Sequence, residues 1–99
     1  MNKFKNEKGE IGVVYSPGFG AGWSTWEDSE HRDFLIMDKG IVSAVLNKDY
    51  QLAIDLAKAK VPHFYTGGAE DLVVEWIREG EQFEITEYDG NETLSIIGG

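Results

Sequence analysis

Leu72-Val73-Val74-Glu75-Trp76-Ile77, Phe83-Glu84-Ile85-Thr86-Glu87-Tyr88 and Asn91-Glu92-Thr93-Leu94-Ser95-Ile96 are three short runs in which side-chain character alternates. A period of two puts alternate side chains on opposite faces of a strand. Asp89-Gly90 separates the last two runs and is a strong hairpin signal, because a type I′ turn needs positive φ at both central residues. With that loop, Tyr88 faces Asn91, Ile85 faces Leu94 and Phe83 faces Ile96. If residues 78–81 form a second, four-residue loop, Trp76 faces Phe83 and Val74 faces Ile85. One register then gathers Val74, Trp76, Phe83, Ile85, Leu94 and Ile96 on one face, and a slip of one residue would scatter them. The pattern predicts a three-stranded antiparallel meander.

Working outward, Ile11-Gly12-Val13-Val14-Tyr15-Ser16 reads as a further strand that Pro17 stops. Asp38 is a helix N-cap candidate, with Ile41, Val42, Val45 and Leu46 at helical spacing behind it, so a short helix is expected near 39–47. Asp49 opens a second helix to about residue 60. Leu52, Ala53, Leu56 and Ala57 lie on its apolar side, Lys58 and Lys60 suit the negative end of its dipole, and Pro62 ends it. Phe34-Leu35-Ile36-Met37 reads as a strand or a buried extended piece after a polar stretch from Glu27 to Asp33. Residues 1–10 read as a flexible lead-in. The expected fold is a single α+β domain over 1–99, with an antiparallel sheet built from the N-terminal strand and the C-terminal three-stranded meander. Two short helices cover it. Val13, Leu52, Leu56, Trp76, Phe83, Ile85, Leu94 and Ile96 are the expected core.

The chain has 99 residues, 18 acids against 9 bases, and no cysteine. That rules out disulfides and thiolate metal sites, and it fits a reducing compartment. Nucleic-acid binding depends on Lys and Arg displacing counterions from phosphates, and attraction to an anionic membrane surface needs the same sign of charge. Both are disfavoured here, whereas a basic protein partner is favoured. No apolar run approaches the ~20 residues that span a bilayer. The charged start Met1-Asn2-Lys3-Phe4-Lys5 is unlike a signal peptide, and the expected location is the cytoplasm.

The excess charge is local. From Ala69 onward stand Glu70, Asp71, Glu75, Glu79, Glu81, Glu84, Glu87, Asp89 and Glu92, with Arg78 as the one base. The meander register sets Glu75 opposite Glu84 and Glu87 opposite Glu92, a modest cost that solvent tolerates. Two readings stay open. The acids are a solvated face that discourages edge-to-edge aggregation, or they are a surface that docks on a basic protein. Glu75, Glu84 and Glu87 are the candidate contacts in the second case. Paired carboxylates for acid–base catalysis need a cleft that separates their pKa values, and an open sheet face does not supply one.

Gly18-Phe19-Gly20-Ala21-Gly22-Trp23-Ser24-Thr25-Trp26 is the unusual segment. Alternating glycines after a strand can turn backbone N–H groups toward an anion. The match to known phosphate loops is poor, since no lysine follows Gly22 and the third glycine falls one residue early for a dinucleotide fingerprint. Either the glycines let Phe19, Trp23 and Trp26 pack on the sheet, or the loop is an exposed aromatic anchor in which Ser24 and Thr25 supply polar contacts. His31 and His63 lack metal-ligand spacing, so no metal or other cofactor is expected. Ser24, His31 and Asp33 form the one triad that can be written, and nothing in their spacing supports it.

The stretch from Val14 to Trp26, with Val74-Glu75-Trp76-Ile77 and Phe83 to Glu92 far downstream, resembles a group of small uncharacterised proteins carried by bacteriophages and prophages. The resemblance implies residence in the cytoplasm of a bacterial host and a binding role against host machinery, and it carries over no catalytic residues. The resulting expectation is a non-enzymatic, acidic binding protein that inhibits a basic host protein such as a nucleic-acid-targeting defence system. The alternative is a small-ligand, nucleotide-like binder that uses Gly18 to Trp26. Exposed sheet edges also leave room for a homodimer.

Overall fold

A computed structural model describes residues 2–18, 22–27, 29–64 and 66–97. In chain order the elements are β1 (Ile11–Tyr15), α1 (Ser29–Met37), α2 (Lys39–Leu46), α3 (Tyr50–Lys60), a 3-10 turn (Ala69–Asp71), β2 (Val73–Ile77), β3 (Phe83–Tyr88) and β4 (Asn91–Ile96). The class is α+β, with two antiparallel pairs, β1–β2 and β3–β4.

The hairpin β3–β4 has the expected register, with Tyr88 facing Asn91, Ile85 facing Leu94 and Phe83 facing Ile96. Its loop has φ of 56° at Asp89 and 84° at Gly90, the left-handed pair a type I′ turn requires. The three-stranded meander does not form. β2 pairs with β1, setting Ile11 against Ile77, Val13 against Glu75 and Tyr15 against Val73. The loop after β2 is closed locally: Glu81 N–H donates to the Arg78 carbonyl at 3.0 Å, and Gly80 sits at φ 89°. The chain therefore leaves the first pair before it starts the second. A short loop made the β2–β3 pairing geometrically allowed, but β1, whose first four residues are buried, makes the stronger demand for an edge.

The two expected helices form behind their predicted caps. The Asp38 carboxylate accepts from Gly40 and Ile41 N–H, and the Asp49 carboxylate accepts from Leu52 N–H. A third helix, α1, replaces the extended piece expected at 34–37. Its apolar residues crowd into the last turn, where Leu35, Ile36 and Met37 are all buried. A helix end enclosed on every side shows no 3.6-residue stripe, so it reads like a strand.

The core joins both sheets to the helices through Val13, Val14, Trp23, Leu35, Ile41, Val42, Ala53, Ala57, Phe64, Leu72, Ile77 and Leu94. Of the expected core residues, Val13 and Leu94 are buried, whereas Leu56, Trp76, Phe83 and Ile85 are half-buried. Leu52 and Ile96 are corrections, being 43% and 45% exposed. On α3 the side that faces inward is carried by Ala53 and Ala57, which lets that helix pack closely and leaves Leu52 outside. Residues 2–10, expected as a flexible lead-in, fold back on the body. Phe4 accepts from Gly12 N–H, Asn2 accepts from Lys39 N–H, and the Phe4 ring lies 5.7 Å from that of Trp76.

Candidate functional site

The described stretch Trp23 to Thr25 of the Gly–Trp segment is organised around one buried acid. Glu92, on β4, is 1% exposed. Its Oε1 accepts from Ser16 N–H at 2.8 Å. Its Oε2 accepts from the N–H groups of Trp23 at 2.7 Å, Ser24 at 3.1 Å and Thr25 at 3.1 Å, and from the Thr25 hydroxyl at 2.7 Å. The backbone is tied as well, since Glu92 N–H donates to the Ser16 carbonyl at 2.8 Å. Successive N–H groups converging on one anion form a nest. Here the anion belongs to the chain itself.

Gly22 is what admits it. A Cβ there would stand 2.6 Å from Thr25 Oγ1 and 2.8 Å from Glu92 Oε2. A Cβ on Gly18 would likewise collide with the Asp71 side chain. Trp23 is fully buried, donates its indole N–H to the Leu35 carbonyl at 2.7 Å, and meets the Phe64 ring edge-on at 4.7 Å. Of the two readings of the segment, packing describes Trp23 and Ser24, both buried; Thr25 is half-buried and Trp26 is 51% exposed. Phe19 lies outside the described residues. The nest formed by the Ser16, Trp23, Ser24 and Thr25 N–H groups is filled by Glu92, whereas Gly20, the middle one of the alternating glycines, lies outside the described residues.

Of the three acids singled out, Glu84 and Glu87 are exposed on β3. Glu75 is not opposite Glu84. It stands on β2 opposite Val13, half-buried, and accepts a hydrogen bond from the Tyr15 hydroxyl at 2.9 Å. Burial pushes the Tyr15 phenol above its ordinary value, and the hydrogen bond and negative charge of Glu75 push it the same way. Glu87 does face Glu92, as expected, but Glu92 points inward and is absent from the acidic surface.

That surface borders a groove of about 620 Å³ between α1 and β3. Its lining includes apolar Ile36, Met37, Phe83, Ile85 and Ile97. Its charged lining is Asp33, Glu81 and Glu84 against Arg32. The Arg32 guanidinium is engaged, donating to the Glu27 carbonyl at 2.8 Å and the Thr25 carbonyl at 3.1 Å. Positive charge gathers elsewhere: Lys3, Lys5 and Lys39 line a second recess with Glu79. The Lys5 ammonium lies 2.7 Å from the Glu79 carboxylate, and its hydrogen bond and charge hold that carboxyl below its usual range. Among the described residues no ion pair involves Glu81, Glu84, Glu87 or Asp89.

Ser24 is buried, and among the described residues no hydrogen bond links it to His31 or Asp33, so the structure does not assemble the one conceivable triad. Among the described residues no three His, Asp or Glu side chains cluster as metal ligands do, and no helix is long and apolar enough to cross a membrane. The sequence alone does not show the groove, because it needs α1 beside β3, and the run Phe34 to Met37 at the end of α1 reads as a strand or a buried extended piece. Comparison with protein-family models, curated proteins and solved structures finds no match.

Proposed function

We propose that this chain is a non-enzymatic protein-binding module whose acidic β3–β4 hairpin, with the groove beside it, holds a basic partner. The observation that carries the reading is the coincidence of exposed acids and apolar surface. Glu81, Glu84, Glu87 and Asp89 stand along one hairpin without ion-pair partners among the described residues, and Tyr88, Ile96 and Ile97 are exposed on the same hairpin. A solvated face that only resists aggregation would have no need of the exposed apolar side chains. Charge steers the encounter and apolar contact retains the complex. A partner of suitable charge is a protein that itself binds nucleic acid, because its own groove already carries Lys and Arg. The expected inhibitor of a nucleic-acid-targeting host protein is one such case, consistent with this charge.

The test is affinity capture from bacterial extract with the wild-type chain and with the Glu84→Lys/Glu87→Lys variant. A discrete basic protein should be retained at low salt, weaken as salt rises and be lost with the variant. Capture that ignores both salt and the charge reversal would overturn the reading. The small-ligand alternative would have to use groups other than the Trp23, Ser24 and Thr25 N–H groups, which Glu92 engages.

A further inference from the structure

The hydrogen-bond parity of the hairpin shows which backbone groups face outward on β3. Ile97 N–H donates to the Gln82 carbonyl at 2.8 Å, so that pair is bonded across the hairpin. Bonded and non-bonded pairs alternate along an antiparallel ladder. Glu84–Ser95, Thr86–Thr93 and Tyr88–Asn91 are therefore bonded as well. Phe83, Ile85 and Glu87 turn their N–H and C=O groups away from β4. The other side of the hairpin agrees: Glu92, opposite Glu87, sends its N–H outward to Ser16. On β4 part of the outer edge is thus occupied, whereas among the described residues β3 has no strand partner except β4.

The same parity sorts the side chains. Phe83 and Ile85 face the core side, where they line the groove with Ile36 and Met37. Glu84, Thr86 and Tyr88 face solvent. An unprotected edge of this kind is a template for another strand. The charge around it selects the occupant. A second copy would bring another Glu81, Glu84, Glu87 and Asp89 alongside the first set, within roughly one Debye length of about 8 Å. The groove's own lining sets Asp33, Glu81 and Glu84 against the single positive charge of Arg32, a net negative balance.

Building on the acidic-hairpin reading, we propose that β3 takes up an extended basic segment of a partner protein as an additional antiparallel strand. The segment's apolar side chains fall opposite Phe83 and Ile85, and its lysines or arginines fall opposite Glu84 and Glu87. Backbone bonds to Phe83, Ile85 and Glu87 set the register, and the groove accepts the inward side chains.

The register specifies a probe. The capped peptide Lys-Thr-Val-Lys-Val-Lys, run antiparallel, sets its two valines opposite Ile85 and Phe83 and lysines opposite Glu87 and Glu84. A control peptide of equal charge carries N-methyl groups on both valines, which removes the N–H groups that would bond to β3. The readout is amide hydrogen exchange and chemical shift on the full ¹⁵N-labelled chain. The expected result is that the first peptide slows exchange at Phe83, Ile85 and Glu87 about tenfold or more, while the methylated one binds about tenfold more weakly. Equal binding of both peptides, without protection at those three amides, would overturn strand addition and leave the acidic-surface reading standing. Binding of neither would remove strand addition, and the capture experiment then decides the surface reading separately. Protection at the same amides that grows with protein concentration and needs no peptide would assign the edge to a second copy and also overturn the proposal.

Discussion

The backbone N–H of Trp23 donates to Oε2 of Glu92 across 2.7 Å, joining residues 69 apart in the chain. Through this contact the last strand holds the loop between β1 and α1. Among the described residues, all five groups that point at the carboxylate are donors, four of them on Oε2. A carboxylate accepts everything offered, whereas an amide must turn one NH₂ toward donors that cannot receive it. Glu92→Gln is therefore expected to cost about 2–4 kcal/mol, more than an ordinary hydrogen-bond deletion, because buried N–H groups are left unpaired. Urea unfolding measures it. A loss below about 1 kcal/mol would mean that the nest does not depend on the charge.

Gly12 marks a close approach in the first sheet. A Cβ there would stand 2.8 Å from Val42 Cγ1 and 3.2 Å from both Trp76 Cζ3 and Val74 Cγ1. All three neighbours are held in packed elements, so relief requires a shift of α2 or of β2. Gly12→Ala is expected to destabilise by about 1–3 kcal/mol despite raising strand propensity. An unchanged urea midpoint would show that α2 moves aside freely.

The local features of the fold were legible in the sequence, and the long-range ones were not. Asp38, Asp49 and Asp89-Gly90 act through their own neighbours, so caps and turn could be read directly. The choice of β1 over β3 as the partner of β2 depends on where α2 lies, and nothing within residues 72–96 encodes it. Glu92 stands in the sequence as one acid among nine, although the period of two sets it on the face of Leu94 and Ile96, the face expected to be buried. Glycines let backbone N–H groups turn toward an anion, and Gly22 makes room for one. The groove depended on α1, hidden by the apolar run Phe34 to Met37.

Tyr15 gives the molecule an alkaline limit. Its phenol stays neutral in the folded chain above the ordinary value of 10.0, chiefly through burial and further through Glu75. In the unfolded chain it ionises at the ordinary value. The stabilisation from the neutral hydroxyl is thus complete below pH 10 and is lost as pH rises from 10 through the raised folded value. Absorbance at 295 nm should show one late phenolate step that disappears in Tyr15→Phe. The variant's stability should also fall less steeply above pH 10. A step common to both chains would assign the late titration to another tyrosine.

Trp23 and Trp26 lie three residues apart, but the first is fully buried and the second is 51% exposed. Trp23→Phe keeps most of the apolar volume against Phe64 but removes the indole N–H, leaving the Leu35 carbonyl without that donor. The combined deletion and packing defect should cost about 2–3 kcal/mol in urea unfolding. Trp26→Phe changes a half-exposed ring and should cost under about 1 kcal/mol. Fluorescence separates the two sites independently of stability, because acrylamide should quench the native Trp23→Phe protein more efficiently than the native Trp26→Phe protein. Equal quenching of the two variants, with equal urea midpoints, would contradict the inward placement of Trp23 and the loop geometry built on it.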